Sequence, residues 1–230
     1  MFYLDPLYLI LALPGLLLGL WAQMRVKGTF NKYSKVRTAS NLTGAEIARH
    51  LLDSQGLNDV RVEQTQGFLS DHYDPRTRVL RLSPDVYGTP SVAAAGVAAH
   101  EMGHALQHSA GYGPLQVRSA IVPVVQFGSS LAPILILVGF LLRFTALAWV
   151  GVILFAGAVV FSLVTLPVEF DASRRAKALL TQGGIVSHEE AGGVNAVLNA
   201  AGWTYVAAAI AAIGQLLYYV LLLTGGSRRD

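Results

Sequence analysis

The sequence predicts a mainly helical membrane protein, with about four transmembrane helices and a small α+β portion. Three observations predict it. Hydrophobic residues make up 53% of the 230 and charged residues only 13%, about half the charged share of an ordinary soluble domain. Four apolar stretches, residues 3–24, 121–142, 144–166 and 204–224, each reach the roughly 20 residues that a helix needs to cross hydrocarbon. The segment between the first two is polar and mixed in pattern, as a small folded unit would be.

The elements follow in chain order. Residues 1–24 read as an N-terminal transmembrane anchor. No basic leader precedes the apolar run, and Arg25, Lys27, Lys32, Lys35 and Arg37 follow it, the pattern of an uncleaved anchor whose next segment is cytoplasmic. Residues 25–120 read as the α+β portion. Ser40, Asn41 and Thr43 offer N-caps for an amphipathic helix with Ile47, Leu51 and Leu52 on its apolar stripe, ending near Gly56. Residues 60–62 and 77–82 pattern as strands, with Asp74-Pro75 as the turn before the second. The second strand either offers an edge on which an extended peptide can pair or is a covered strand; the sequence favours neither. Asn41-Leu42-Thr43 matches a glycosylation sequon, read here as a helix start on a cytoplasmic face.

Residues 121–166 form a transmembrane helical hairpin, its two spans separated only by Arg143 and its neighbours. Pro14 and Pro123 fall within spans, which membrane helices tolerate. In the segment 167–203, Pro167 suits the first turn of a helix ending near Gly183 and Gly184. Residues 204–230 supply a C-terminal transmembrane helix and tail. Two crossings separate 25–120 from 167–203, so both face one side. Arg174, Arg175 and Lys177 agree with a cytoplasmic assignment, while the terminal Arg228-Arg229 pair runs against it.

The chain has no cysteine, so disulfides, iron–sulfur clusters and thiolate zinc sites are excluded, and any metal must sit on histidine and carboxylate. The run Ala99-His100-Glu101-Met102-Gly103-His104 supplies such a set. Residues four apart share a helix face, so the His100 and His104 imidazoles can reach one zinc ion. Glu101 projects beside that face as the general base for peptide hydrolysis. Ala98, Ala99, Gly103 and Ala105 are small and let another backbone approach.

A catalytic zinc takes a third protein ligand. His108 lies eight residues from His100, about 12 Å along a straight helix, too far for one ion to hold both ends. Glu169 shares a face with Ala172, Ser173 and Ala176, a small face that can pack against the His100 helix and bring the carboxylate to the metal. Asp171, turned by about 200°, falls with Arg174 and Arg175 as a supporting partner. His108, Tyr112 and His188 are candidate oxyanion-stabilising groups.

The runs Leu82-Ser83-Pro84 through Ala98-Ala99-His100-Glu101-Met102-Gly103-His104-Ala105-Leu106-Gln107-His108, and Pro167-Val168-Glu169-Phe170-Asp171-Ala172-Ser173-Arg174-Arg175-Ala176, resemble the two motifs of the YugP-type neutral zinc metallopeptidases of bacterial membranes. The resemblance extends over essentially the whole chain. It implies a zincin-like catalytic portion, a zinc cofactor, protein or peptide substrates, and a multi-pass place in a bacterial plasma membrane. More distantly the chain is similar to the HtpX and CAAX-processing membrane peptidases, in which Asp stands four residues after the motif Glu. Ser173 occupies that position here, so that carboxylate is not carried over. No nucleic-acid partner is expected. Two other readings compete: a catalytically silent metal-binding membrane scaffold, which does not need Glu101, and a metalloprotease cleaving within the bilayer. The four ionisable residues His100, Glu101, His104 and His108 within 91–110 speak against the second.

Overall fold

A computed structural model describes residues 5–226, in ten elements. They are α1 (Pro6–Tyr33), α2 (Gly44–Ser54), β1 (Arg61–Gln64), β2 (His72–Asp74), β3 (Val79–Leu82), α3 (Pro84–Tyr87), α4 (Val92–Ser109), α5 (Gly113–Leu141), α6 (Thr145–Gln182) and α7 (His188–Gly226). Residues 3 and 4 of the first expected span, and the terminal Arg228-Arg229 pair, lie outside the described residues. The chain divides into two compact units. One holds the chain up to Ala22, residues 116–167 and the chain from Thr204 onward; the other holds residues 23–115 and 168–203.

The first unit is made of the apolar parts of α1, α5, α6 and α7, the four helices long and apolar enough to cross a membrane. Large apolar side chains stand outward along them, Phe127 at 73% and Leu141 at 74% exposure among others, a surface that water would penalise and lipid would not. Inward, small residues set the spacing. A Cβ on Gly15 would lie 2.5 Å from Ala211 Cα, and one on Gly139 would lie 2.6 Å from Ala148 N. Backbones approach that closely only where side chains are absent, as at membrane helix interfaces. The turn after α5 closes on Arg143, which takes φ +54°, so the expected hairpin forms.

Two expectations about helix boundaries are corrected. Pro167 does not open a helix; it lies inside α6. Proline removes one amide donor, yet its fixed φ fits an α-helix, and a helix of 38 residues continues past the single missing bond. Likewise α7 begins at His188, well before the apolar run from residue 204. Its start is a capping box. Ser187 Oγ accepts from Glu190 N at 3.2 Å, and Glu190 Oε2 accepts from Ser187 N at 2.7 Å. The spacing Ser187-His188-Glu189-Glu190 is legible in the sequence and marks that start. The end of α6 is where the glycines place it, with Gly184 at φ +63° and Ile185 N donating back to Leu180 O at 3.0 Å.

The second unit is α+β. Of the candidate caps, Thr43 begins α2, in a reciprocal capping box with Glu46. Ile47, Leu51 and Leu52 are buried as the stripe predicts. Gly56 follows with φ +71°. Arg49 then holds the next turn, donating to Val60 O at 2.6 Å and Leu57 O at 3.1 Å.

The sheet has the order β1-β3-β2, with β1 parallel and β2 antiparallel to β3. The short strand β2 is an addition to the two expected. Asp74 at its end accepts from Arg76 N at 2.9 Å and Thr77 Oγ1 at 2.7 Å, shaping the turn into β3. Because β3 is the central strand, both its edges are already paired, so of the two alternatives it is the covered strand. Over this sheet and α2 lies α4, mostly buried, in one core with Leu80, Leu82, Met102, Leu180 and Val194.

Candidate metal centre

Helix α4 starts at Ser91, whose side chain accepts from Ala94 N at 3.1 Å, and its two histidines sit one turn apart on one face. The partner helix is α6. The approach of the two depends on Gly103: a Cβ there would stand 2.6 Å from Ala172 O and 3.1 Å from Ala172 Cα. This is the small face against small face that the sequence implied, and it carries Glu169 to the histidines. Glu169 Oε2 lies 3.2 Å from His100 Nε2 and 3.6 Å from His104 Nε2. The three ligand atoms lie within 4.8 Å of one another and the residues are buried, so the group could hold a metal ion.

The spacing can be tested against zinc itself. Ligands about 2.1 Å from a tetrahedral ion stand about 3.4 Å apart. The two measured separations fall on either side of that value. A donor set of two imidazoles and one carboxylate, with no thiolate, is also one that zinc accepts in sites that keep a fourth position for water.

Each imidazole is held at its other nitrogen. His100 Nδ1 lies 3.1 Å from Ser173 Oγ, and His104 Nδ1 lies 3.0 Å from Gln107 Oε1. Both Nε2 atoms are thereby turned toward Glu169. Such outer contacts fix ring orientation and tautomer in metal sites. Ser173 thus stands in contact with a site histidine. Neither Gln107 nor Ser173 was a candidate from the sequence. Ser173 meets His100 only across two helices, which no local pattern signals, whereas Gln107 stands three residues from His104 on α4 itself, a spacing that could have marked it.

The electrostatics follow from burial and pairing. Burial alone raises the Glu169 carboxyl, but hydrogen bonds and charge from His100 and His104 outweigh it and hold it far below the usual range. Burial likewise disfavours a charged His104, yet Glu169 outweighs it and lifts His104 above the ordinary histidine value. Glu101 is buried beside them. Burial raises its pKa, His100 and His104 pull the other way, and the charges of Glu169 and Asp71 add to the rise. Asp71 was also missed by the sequence reading. It is held by Ser83, whose N and Oγ donate to it at 2.7 and 3.0 Å.

The remaining candidates lie elsewhere in this unit. Asp171 is buried, paired with Arg174, with Arg175 at 2.6 Å, and with Gln107 Nε2 at 3.0 Å. The ring of Tyr112 lies beneath the Arg175 guanidinium at 5.7 Å. His108 Nδ1 meets Tyr73 Oη at 2.9 Å, against β2. His188 is exposed in the first turn of α7. Among the described residues, the group placed to share one ion is His100, His104 and Glu169.

The family model described as "Putative neutral zinc metallopeptidase" matches residues 8–224. A protein of Bacillus subtilis (strain 168), named "Putative membrane protease YugP", is 51% identical over 220 residues, covering 96% of this chain and 98% of that protein. No solved structure matches the chain.

Proposed function

This chain belongs to the neutral zinc metallopeptidase family, and from that premise we propose that it is a membrane-anchored zinc endopeptidase acting on membrane or membrane-proximal proteins. The observation that carries the reading is the meeting of His100, His104 and Glu169 around one point, with the Glu101 carboxyl buried beside it. His100, His104 and Glu169 are the metal ligands. Zinc, when bound, supplies a Lewis acid that polarises a peptide carbonyl and acidifies water.

The chain's own residues do the rest. Glu101 sits in an environment that raises its proton affinity, which suits a group that takes a proton from the attacking water and returns it to the leaving amine. The buried surroundings limit competing hydration of the carboxylates. Ser173 and Gln107 hold the imidazoles in place. Burial of α4 in the α+β unit, with Glu169 beyond the apolar run that ends at residue 166 of α6, supports hydrolysis outside the bilayer. The basic residues that follow the first span support a cytoplasmic side for that unit, and the long helices support a place in the plasma membrane of a bacterial cell.

The test separates the two carboxylates. Glu101→Gln keeps zinc at one ion per chain and abolishes peptide hydrolysis. Glu169→Gln loosens zinc, because an amide oxygen is a weaker, uncharged ligand, and activity falls with occupancy. Zinc content and hydrolysis of a casein substrate are measured for both variants, purified in detergent. Full activity in Glu101→Gln, or undiminished zinc in Glu169→Gln, removes the assignment.

A further inference from the structure

The hydrogen bonds around Gln107 determine which way its amide faces. Its Nε2 lies 2.7 Å from the Val168 carbonyl oxygen and 3.0 Å from Asp171 Oδ2. A backbone carbonyl can only accept. Asp171, paired with the guanidinium groups of Arg174 and Arg175, is a carboxylate and also only accepts. Both neighbours therefore require the NH2 end of the amide, and a flipped amide would set oxygen against oxygen at two places. The amide oxygen is left facing His104 Nδ1 at 3.0 Å. An oxygen there requires Nδ1 to carry a proton, which leaves Nε2, the nitrogen turned toward Glu169, to give its lone pair to a metal. Gln107 is fully buried, so water does not relax these demands. Ser173, by contrast, meets His100 with a hydroxyl that can donate or accept, and imposes no such choice.

Resting on the zinc-site reading above, we propose that Gln107 is a positioning residue that holds His104 in the form protonated at Nδ1, with Asp171 and the Val168 carbonyl setting the direction of its amide. The arrangement is a relay in one direction: Arg174 and Arg175 hold Asp171, Asp171 orients Gln107, and Gln107 orients the ligand.

The experiment uses the full-length protein in detergent, titrated with zinc against a chromophoric chelator. It also records long-range proton–nitrogen spectra of the zinc-loaded, histidine-labelled chain. In the wild type, His104 carries its proton on Nδ1. Gln107→Leu, close in volume but without either polar end, lowers zinc affinity about 10- to 100-fold, the usual loss when an outer partner of a ligand is removed. Should Gln107→Leu fail to fold, the pair Gln107→Glu and Gln107→Glu with Asp171→Asn carries the test. The single change sets two carboxylates together and weakens zinc. Adding Asp171→Asn replaces one of those carboxylates with an amide that donates to the other, and recovers part of the loss, the Val168 carbonyl still lacking its donor.

Proton on Nε2 in the wild type overturns the proposal, as does unchanged affinity in both Gln107→Leu and Gln107→Glu, or no recovery in the double variant. A wild type that takes up no zinc brings down the site reading and this proposal together. Zinc binding in the wild type with indifference to Gln107 brings down only the proposal.

Discussion

Two glycines on the same helix should respond oppositely to the same change, and the contrast tests how the centre is assembled. Alanine at position 103 would place a Cβ 2.6 Å from Ala172 O. Close carbon–oxygen contacts recur at about 3.3 Å or more, so α4 and α6 must part there by about 0.7 Å. The obstacle is backbone, which has no rotamer to turn aside. Overpacking of this kind costs about 1–3 kcal/mol, set against about 1 kcal/mol of helix propensity gained on replacing glycine. The same displacement draws Glu169 away from His100 and His104, whose ligand distances zinc tolerates to only about 0.2 Å.

If closing the gap around the ion restores that strain, zinc affinity falls by about 5- to 150-fold for 1–3 kcal/mol. At Gly96 the nearest atom to an added Cβ is Val194 Cγ1 at 3.5 Å, an ordinary contact. Gly96→Ala therefore keeps its zinc and gains about 1 kcal/mol, a rise of a few degrees in Tm. Zinc titration and thermal unfolding of both variants decide it. A Gly103→Ala protein with wild-type zinc affinity would refute the claim that this close approach positions Glu169. Equal losses in the two variants would show that α4 tolerates no methyl anywhere.

The pH dependence of zinc uptake has a worked sign. Glu169 is held far below the usual carboxylate range and brings no proton for the metal to displace, whereas His104 is raised above about 6.5 and does. Zinc affinity accordingly increases with pH through the region above about 6.5 and levels off once His104 is neutral; a flat profile there contradicts the assignment of His104 as a ligand. Thr43→Ala removes the cap of α2 and should lower stability by about 1 kcal/mol, read by urea unfolding, with zinc content unchanged. Cysteines placed at Arg61 and His188 should both resist an impermeant thiol reagent in intact cells, since both positions lie in the unit assigned to the cytoplasm. Labelling of both from outside inverts the topology, and labelling of one alone breaks the shared side.

The parts of this protein that were legible in the sequence are those governed by local, additive properties. Hydropathy sums along the chain, so the spans of 121–142 and 144–166 could be located without knowing their neighbours. The hairpin at Arg143 followed from their adjacency. A spacing of four residues is a helical turn wherever it occurs, which is why His100 and His104 could be paired before any fold was known, and why the small residues around them marked a close approach. The face of Glu169 followed by the same periodicity.

What the tertiary structure alone decided are the unforeseen choices of partner over long separations. His100 meets Ser173 across 73 positions, and Gln107 meets Val168 across 61. Those distances depend on how two helices pack, to fractions of an ångström that no local pattern encodes. Pro167 shows the same limit from the other side: its local preference for a helix start yields to the continuity of α6. Strand β3 became central because β2, three residues with no apolar alternation of its own, found its place only by pairing. The direction of the Gln107 amide could not be read from the sequence, because it depends on which acceptors surround it, and packing alone supplies those.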